Sequence, residues 1–137
     1  MTKISKSLRQ LVIQRADNRC EYCGISQIGQ VATFHIDHII PVVANGKTTD
    51  ENLALACVSC SLRKGYRQEI EDSQTGEIVS IFNPPQQQWK SHFRWDGVQI
   101  IGLTATGRAT IEALDLNRAT MLAIRTEENL LGRHPPP

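Results

Sequence analysis

Two Cys-x-x-Cys pairs, Cys20 with Cys23 and Cys57 with Cys60, use every cysteine in this 137-residue chain. Four thiolates in two knuckles make a four-coordinate, closed site that suits zinc. A closed site has no position for substrate, so its work is to hold loops together. Thirty-three residues separate Cys23 from Cys57. That is longer than an ordinary zinc ribbon allows, so the intervening chain must leave the first knuckle and return to it. Two disulfides are the competing use of four cysteines, and four reduced thiols without metal are another. The N-terminus shows no apolar stretch followed by a small-residue cleavage site, and without an export signal this spacing reads as metal binding. In a domain this small, such a site supplies much of the folding free energy.

The remaining composition is that of an ordinary soluble protein, and the formal net charge is only +1. No global basic field advertises a nucleic-acid partner. The halves differ: residues 1–70 hold nine Lys/Arg against six Asp/Glu, and residues 71–137 hold six against eight. The knuckles therefore sit in the basic half, although zinc thiolates would cut into that excess. No run of 18 apolar residues is present, so no membrane partner is expected, and the expected location is cytoplasmic.

Ser5 to Ala16 reads as a short amphipathic helix, with Leu8, Leu11, Val12 and Ala16 on one face. Val31 to Ile40 reads as a strand closed by Pro41, which lacks the N–H a ladder needs. Val42 to Asp50 is a loop around Asn45-Gly46. Asn52 to Cys57 reads as a second strand. Ser59 or Ser61 then caps a helix running to about Glu69 or Ile70. Beyond Asp72 the pattern predicts a strand from Glu77 to Phe82 and a break at Asn83-Pro84-Pro85. A hairpin of His92 to Trp95 and Val98 to Leu103 turns at Asp96-Gly97. Helices over Thr106–Leu114 and Asn117–Leu131 and a frayed tail complete the chain. The fold class is α+β: a zinc-stapled core of residues 1–70, with a strand-rich and then helical extension, residues 71–137, packed on it.

Between the knuckles lies His35-Ile36-Asp37-His38-Ile39-Ile40-Pro41. Phosphodiester hydrolysis needs a base to activate water and a Lewis acid for the leaving oxygen. Imidazole titrates near neutrality and suits the first role. A carboxylate holding Mg²⁺ or Mn²⁺ suits the second. An Asp-His pair standing alone reads more simply as a buried histidine with its hydrogen-bond partner. The cysteine frame around it shifts the reading toward chemistry.

Cys20-Glu21-Tyr22-Cys23, Asp37-His38-Ile39-Ile40-Pro41, Asp50-Glu51-Asn52-Leu53, Cys57-Val58-Ser59-Cys60 and Arg63-Lys64-Gly65 together resemble the HNH endonuclease family. The likeness covers residues 15–67, about two-fifths of the chain. The remainder, with Asn83-Pro84, Trp89, His92-Phe93, Trp95 and Gly107-Arg108-Ala109, is similar to the C-terminal extension of some small bacterial HNH proteins. The resemblance implies a ββα-metal core and metal-dependent cleavage or nicking of DNA. It makes Asp37 a ligand of the catalytic divalent ion and His38 the general base. Asn52 would pin the Asn45-Gly46 loop through backbone hydrogen bonds and so orient His38.

The family usually places Asn or His after the fourth cysteine as a second ligand of that ion. Here Ser61 stands there, and a neutral hydroxyl is the poorer ligand. His35, two residues before Asp37 and on the same strand face, is the candidate for completing the shell, with His92 a weaker one. Arg63, Lys64 and Arg67 are expected to contact DNA phosphates, or else to form a solvated helix face. Trp89, Phe93 and Trp95 are expected in the core of the second half rather than stacked on bases. Ser61 supports a second reading, a zinc module that binds nucleic acid without cutting it; a third is an assembly protein whose zinc is architectural.

Overall fold

The computed structural model describes residues 3–137. Helix α1 (Lys6–Arg15) starts where the Ser5 side chain accepts from the Leu8 N–H, an N-cap that satisfies one of the free amides of the first turn. Its inner face is Val12, flanked by Ile4, Leu8, Ile13 and Ala16. Leu11, expected on that face, is exposed instead. At its end Arg15 donates to the Asp50 and Leu53 carbonyls and pairs with Glu21 at 2.8 Å. This clamp ties α1 to the strand beginning at Leu53.

Strands β1 (His35–His38) and β2 (Leu53–Ala56) form an antiparallel hairpin with His35 opposite Ala56 and His38 opposite Leu53. β1 is shorter than the expected Val31–Ile40. The four residues of β2 limit the pairing, and Gln27 occupies the chain before β1 by bonding the Ala32 carbonyl and the Phe34 N–H. Every residue of β2 is buried, with both α1 and α2 packed against it.

Helix α2 (Val58–Lys64) is capped by Cys57, whose sulfur accepts from the Cys60 N–H, not by Ser59 or Ser61. It stops at Gly65, which takes a positive φ of 56°, and does not continue to Ile70. The residues expected to extend it instead form β3 (Glu69–Glu71), paired antiparallel with β4 (Ile78–Ser80).

One helical turn, α3 (Trp89–His92), runs directly into the hairpin of β5 (Phe93–Asp96) and β6 (Gln99–Gly102). Asp96 pairs with Gln99, so the turn is Gly97-Val98, one residue later than the sequence pattern placed it. Helices α4 (Ala105–Leu114) and α5 (Ala119–Leu130) follow, α4 capped by Thr104. One buried cluster runs from Val12 through Leu53, Phe82 and Ile100 to Met121, so both segments contribute to a single core. The tail is docked, not frayed. His134 reaches the Gly97 carbonyl at 2.9 Å and sets its ring edge-on to Trp95, with centroids 4.6 Å apart.

Candidate zinc centre and active-site cleft

The hairpin returns Cys57 and Cys60 to Cys20 and Cys23, as the long spacing demands. The four sulfurs lie within 4.8 Å of one another and all four residues are buried. The Cys23 and Cys57 sulfurs are 3.8 Å apart. With Zn–S bonds of about 2.3 Å, the edge of a tetrahedral thiolate cage is about 3.8 Å. No disulfide joins them. Hydrogen bonds from Cys20, Cys23 and Cys60 hold the Cys57 thiol well below the ordinary thiol range, while burial pushes Cys23 up. Four adjacent sulfurs cannot all ionise in a buried site without a cation, and zinc provides the compensation such a donor set requires. Gly24, at φ +80°, makes the knuckle turn, and a Cβ there would press on the Trp95 ring at 3.1 Å.

The extension encloses this centre. Trp89 donates from its indole nitrogen to the Tyr22 carbonyl inside the first knuckle, and its ring stacks on Trp95 at 5.1 Å. The aromatic residues are therefore core, packed against the zinc loops. Arg125, from α5, is 1% exposed and lies over the Trp95 ring at 5.3 Å. It donates to the Val98 and Leu116 carbonyls. Among the described residues no carboxylate pairs with it. Burial lowers its pKa, and charge on the Cys23, Cys60 and Cys20 sulfurs acts against that shift.

On the far side of β1 lies a cleft of about 600 Å³, lined by Asp37, His38 and Ser61 among others. β1 delivers the first two and α2 the third. The imidazole of His35 is 2.8 Å from the Ser61 hydroxyl, so His35 meets the cleft through Ser61. His38 holds the Thr48 hydroxyl at 2.9 Å through Nε2. Behind it, Asn52 accepts from the Ile40 N–H and donates to the Ile40 and Lys47 carbonyls. Those bonds bracket residues 41–46, where Asn45 adopts the left-handed conformation at φ 66°.

The structure does not gather the expected basic cluster into this cleft. Lys64 is 1% exposed and its ammonium donates to the His38 carbonyl at 3.1 Å, with Ile39 O at 3.4 Å. Burial lowers its pKa, and the Asp37 charge draws it back up. Arg67 turns onto the Arg63 and Lys64 carbonyls at the end of α2 and onto Ala113 of α4. Arg67 nonetheless stays exposed, as does Arg63, which bonds Ser59 and lies 3.8 Å from Asp115. His92 is elsewhere, bonded to Thr104 and packed on Phe82. Thr48, Glu21 and Arg125 carry no sequence signal of their roles, because each acts through a partner that only the fold brings to it. For Lys64 the signal was present: it follows the inward-facing Cys60 by four residues and so shares its helix face.

A hairpin and helix stapled by four cysteines, with an Asp-His pair on the first strand, define a zinc-stapled ββα domain of the HNH class. Residues 20–67 match the HNH endonuclease family model, so this part of the chain is an HNH domain. No curated protein matches the chain. That match points to nuclease or nucleic-acid-binding chemistry for this segment. No helix of the described residues is long and apolar enough to cross a membrane.

Proposed function

We propose that the chain hydrolyses DNA phosphodiester bonds in a reaction that depends on Mg²⁺ or Mn²⁺. The observation that carries this reading is the convergence of Asp37, His38 and Ser61 on one cleft beside a site fit for structural zinc. Asp37 would hold the divalent cation, which supplies Lewis-acid stabilisation of the leaving 3′ oxygen. Ser61 offers a hydroxyl to the same side, and His35, bonded to it, is the nearest imidazole able to strengthen that ligand set. When Thr48 accepts from Nε2–H of His38, the Nδ1 lone pair is left to take the proton of an attacking water. Lys64 and Asn52 hold the backbone that carries the base, through the His38 and Ile40 peptide groups. Arg63 and Arg67 are the exposed side chains of the basic cluster still available to a phosphate.

The test is a supercoiled-plasmid assay with and without Mn²⁺ or Mg²⁺, on wild type beside His38→Ala. Metal-dependent nicking is expected, falling about a hundredfold or more in the variant, as loss of a general base does. Zinc content and circular dichroism should not change. Near-normal nicking by His38→Ala would remove His38 from the mechanism. Ser61 favours a second reading, a zinc module that binds nucleic acid without cutting it. If wild type binds DNA but is inert, activity gained by Ser61→Asn would trace the loss to that hydroxyl.

A further inference from the structure

With Lys64 buried and neither Arg63 nor Arg67 among the lining residues, the mouth of the cleft is largely apolar. Val42 and Val43 form one wall, and Leu62 and Tyr66 the other. Val43 is 79% exposed and Tyr66 76%. An exposed apolar surface concentrated at one place marks a contact surface rather than a scattering of surface residues. Here it surrounds the two residues assigned to phosphodiester chemistry.

A relaxed duplex offers phosphates on its outside and is gripped chiefly by cations. It hides the faces of its bases. An unpaired strand exposes those faces, and aromatic stacking then contributes about 1–3 kcal/mol per base without regard to sequence. An unpaired strand also bends into a cleft at less cost than a stiff duplex. We propose, resting on the nuclease reading, that this cleft takes unpaired nucleic acid, with a base next to the scissile phosphate stacked on Tyr66 and flanked by Val43 and Leu62. Tyr66 is then the residue that selects substrate structure. Such a substrate is a single strand, a bubble or a flap.

The experiment uses full-length, zinc-loaded protein and labelled DNA of one sequence in three forms: single strand, duplex with a central bubble, and fully paired duplex. Fluorescence anisotropy without added Mg²⁺ or Mn²⁺ measures binding, and gels with Mn²⁺ measure cutting. Unpaired probes should bind about tenfold or more tightly than the paired duplex. Tyr66→Ala should remove that preference, and Tyr66→Phe should keep it, because the ring stacks and the hydroxyl does not. Tyr66 is exposed, so zinc content and melting should not change in either variant. The affinity of unpaired probes should fall only shallowly with salt, since few phosphates are neutralised.

Equal affinity for paired and unpaired forms, or a preference unmoved by Tyr66→Ala, overturns the proposal even if the duplex is cut. Sedimentation as a dimer that Tyr66→Ala converts to monomer assigns the wall to a second copy and also overturns it. Tyr66-dependent binding of unpaired DNA with no cutting under Mn²⁺ upholds the substrate class and removes hydrolysis. Absence of binding to any probe removes both.

Discussion

Asn52 makes three hydrogen bonds with one amide group, to the Ile40 N–H and to the Ile40 and Lys47 carbonyls. Asn52→Ala should cost about 1–2 kcal/mol, since water reaches part of this loop and replaces some of the lost bonds. Urea unfolding would measure the cost. Hydrogen exchange at the Ile40 amide should quicken, and an unchanged rate would show the loop to be held by other contacts. At this scale the sequence is legible wherever spacing carries chemistry: the four cysteines meet, Asp37 and His38 line one cleft, and Asn52 bonds the backbone at both ends of the adjoining loop. It is less legible for charge. Composition shows that Lys64 and Arg67 are cations but not where they point: burial turns Lys64 into a backbone tie, while Arg67 stays exposed and still bonds the Arg63, Lys64 and Ala113 carbonyls. Thr48 shows the same limit, because nothing local to it announces a histidine ten residues earlier.

Helix α2 is only seven residues long, too short to persist alone in water. Cys57 both caps it and belongs to the sulfur cluster. Cys57→Ser should therefore abolish zinc retention and melt α2 together with the hairpin, and stripping the metal from wild type with a chelator should do the same. Circular dichroism with a zinc assay reads both, and a melt unaltered by either treatment would make the metal incidental to the fold. Element identity was mostly readable, since α1, β1, β2, the β5–β6 hairpin, α4 and α5 follow the apolar periodicity of their segments. Lengths were not. Val31 to Thr33 have strand propensity but no partner, because β2 ends at Ala56. The strand β3 was hidden in an apparent helix tail, although Gly65 marks the break that separates the two.

Across the whole molecule, one core joins the segments before and after residue 70. We expect a fragment of residues 1–70 to fail to fold even with zinc, since it lacks the Trp89 bond to Tyr22 and the aromatic packing on Gly24. A one-dimensional proton spectrum of that fragment decides it; dispersed amide resonances would show the HNH segment to be self-sufficient. The content of the extension was readable as a small aromatic core, but its target was not. Periodicity describes how a segment is amphipathic and is silent about which loop it covers, so the docked tail looked free. Arg125 carries the last consequence. Among the described residues no carboxylate pairs with this buried cation, and charge on the cysteine sulfurs acts against the effect of burial on it. A zinc tetrathiolate carries about two negative charges, which vanish once the metal leaves and the thiols take up protons. Demetallation thus leaves that guanidinium only its carbonyl bonds and the Trp95 ring, so loss of zinc should loosen the C-terminal helix as well as the knuckles.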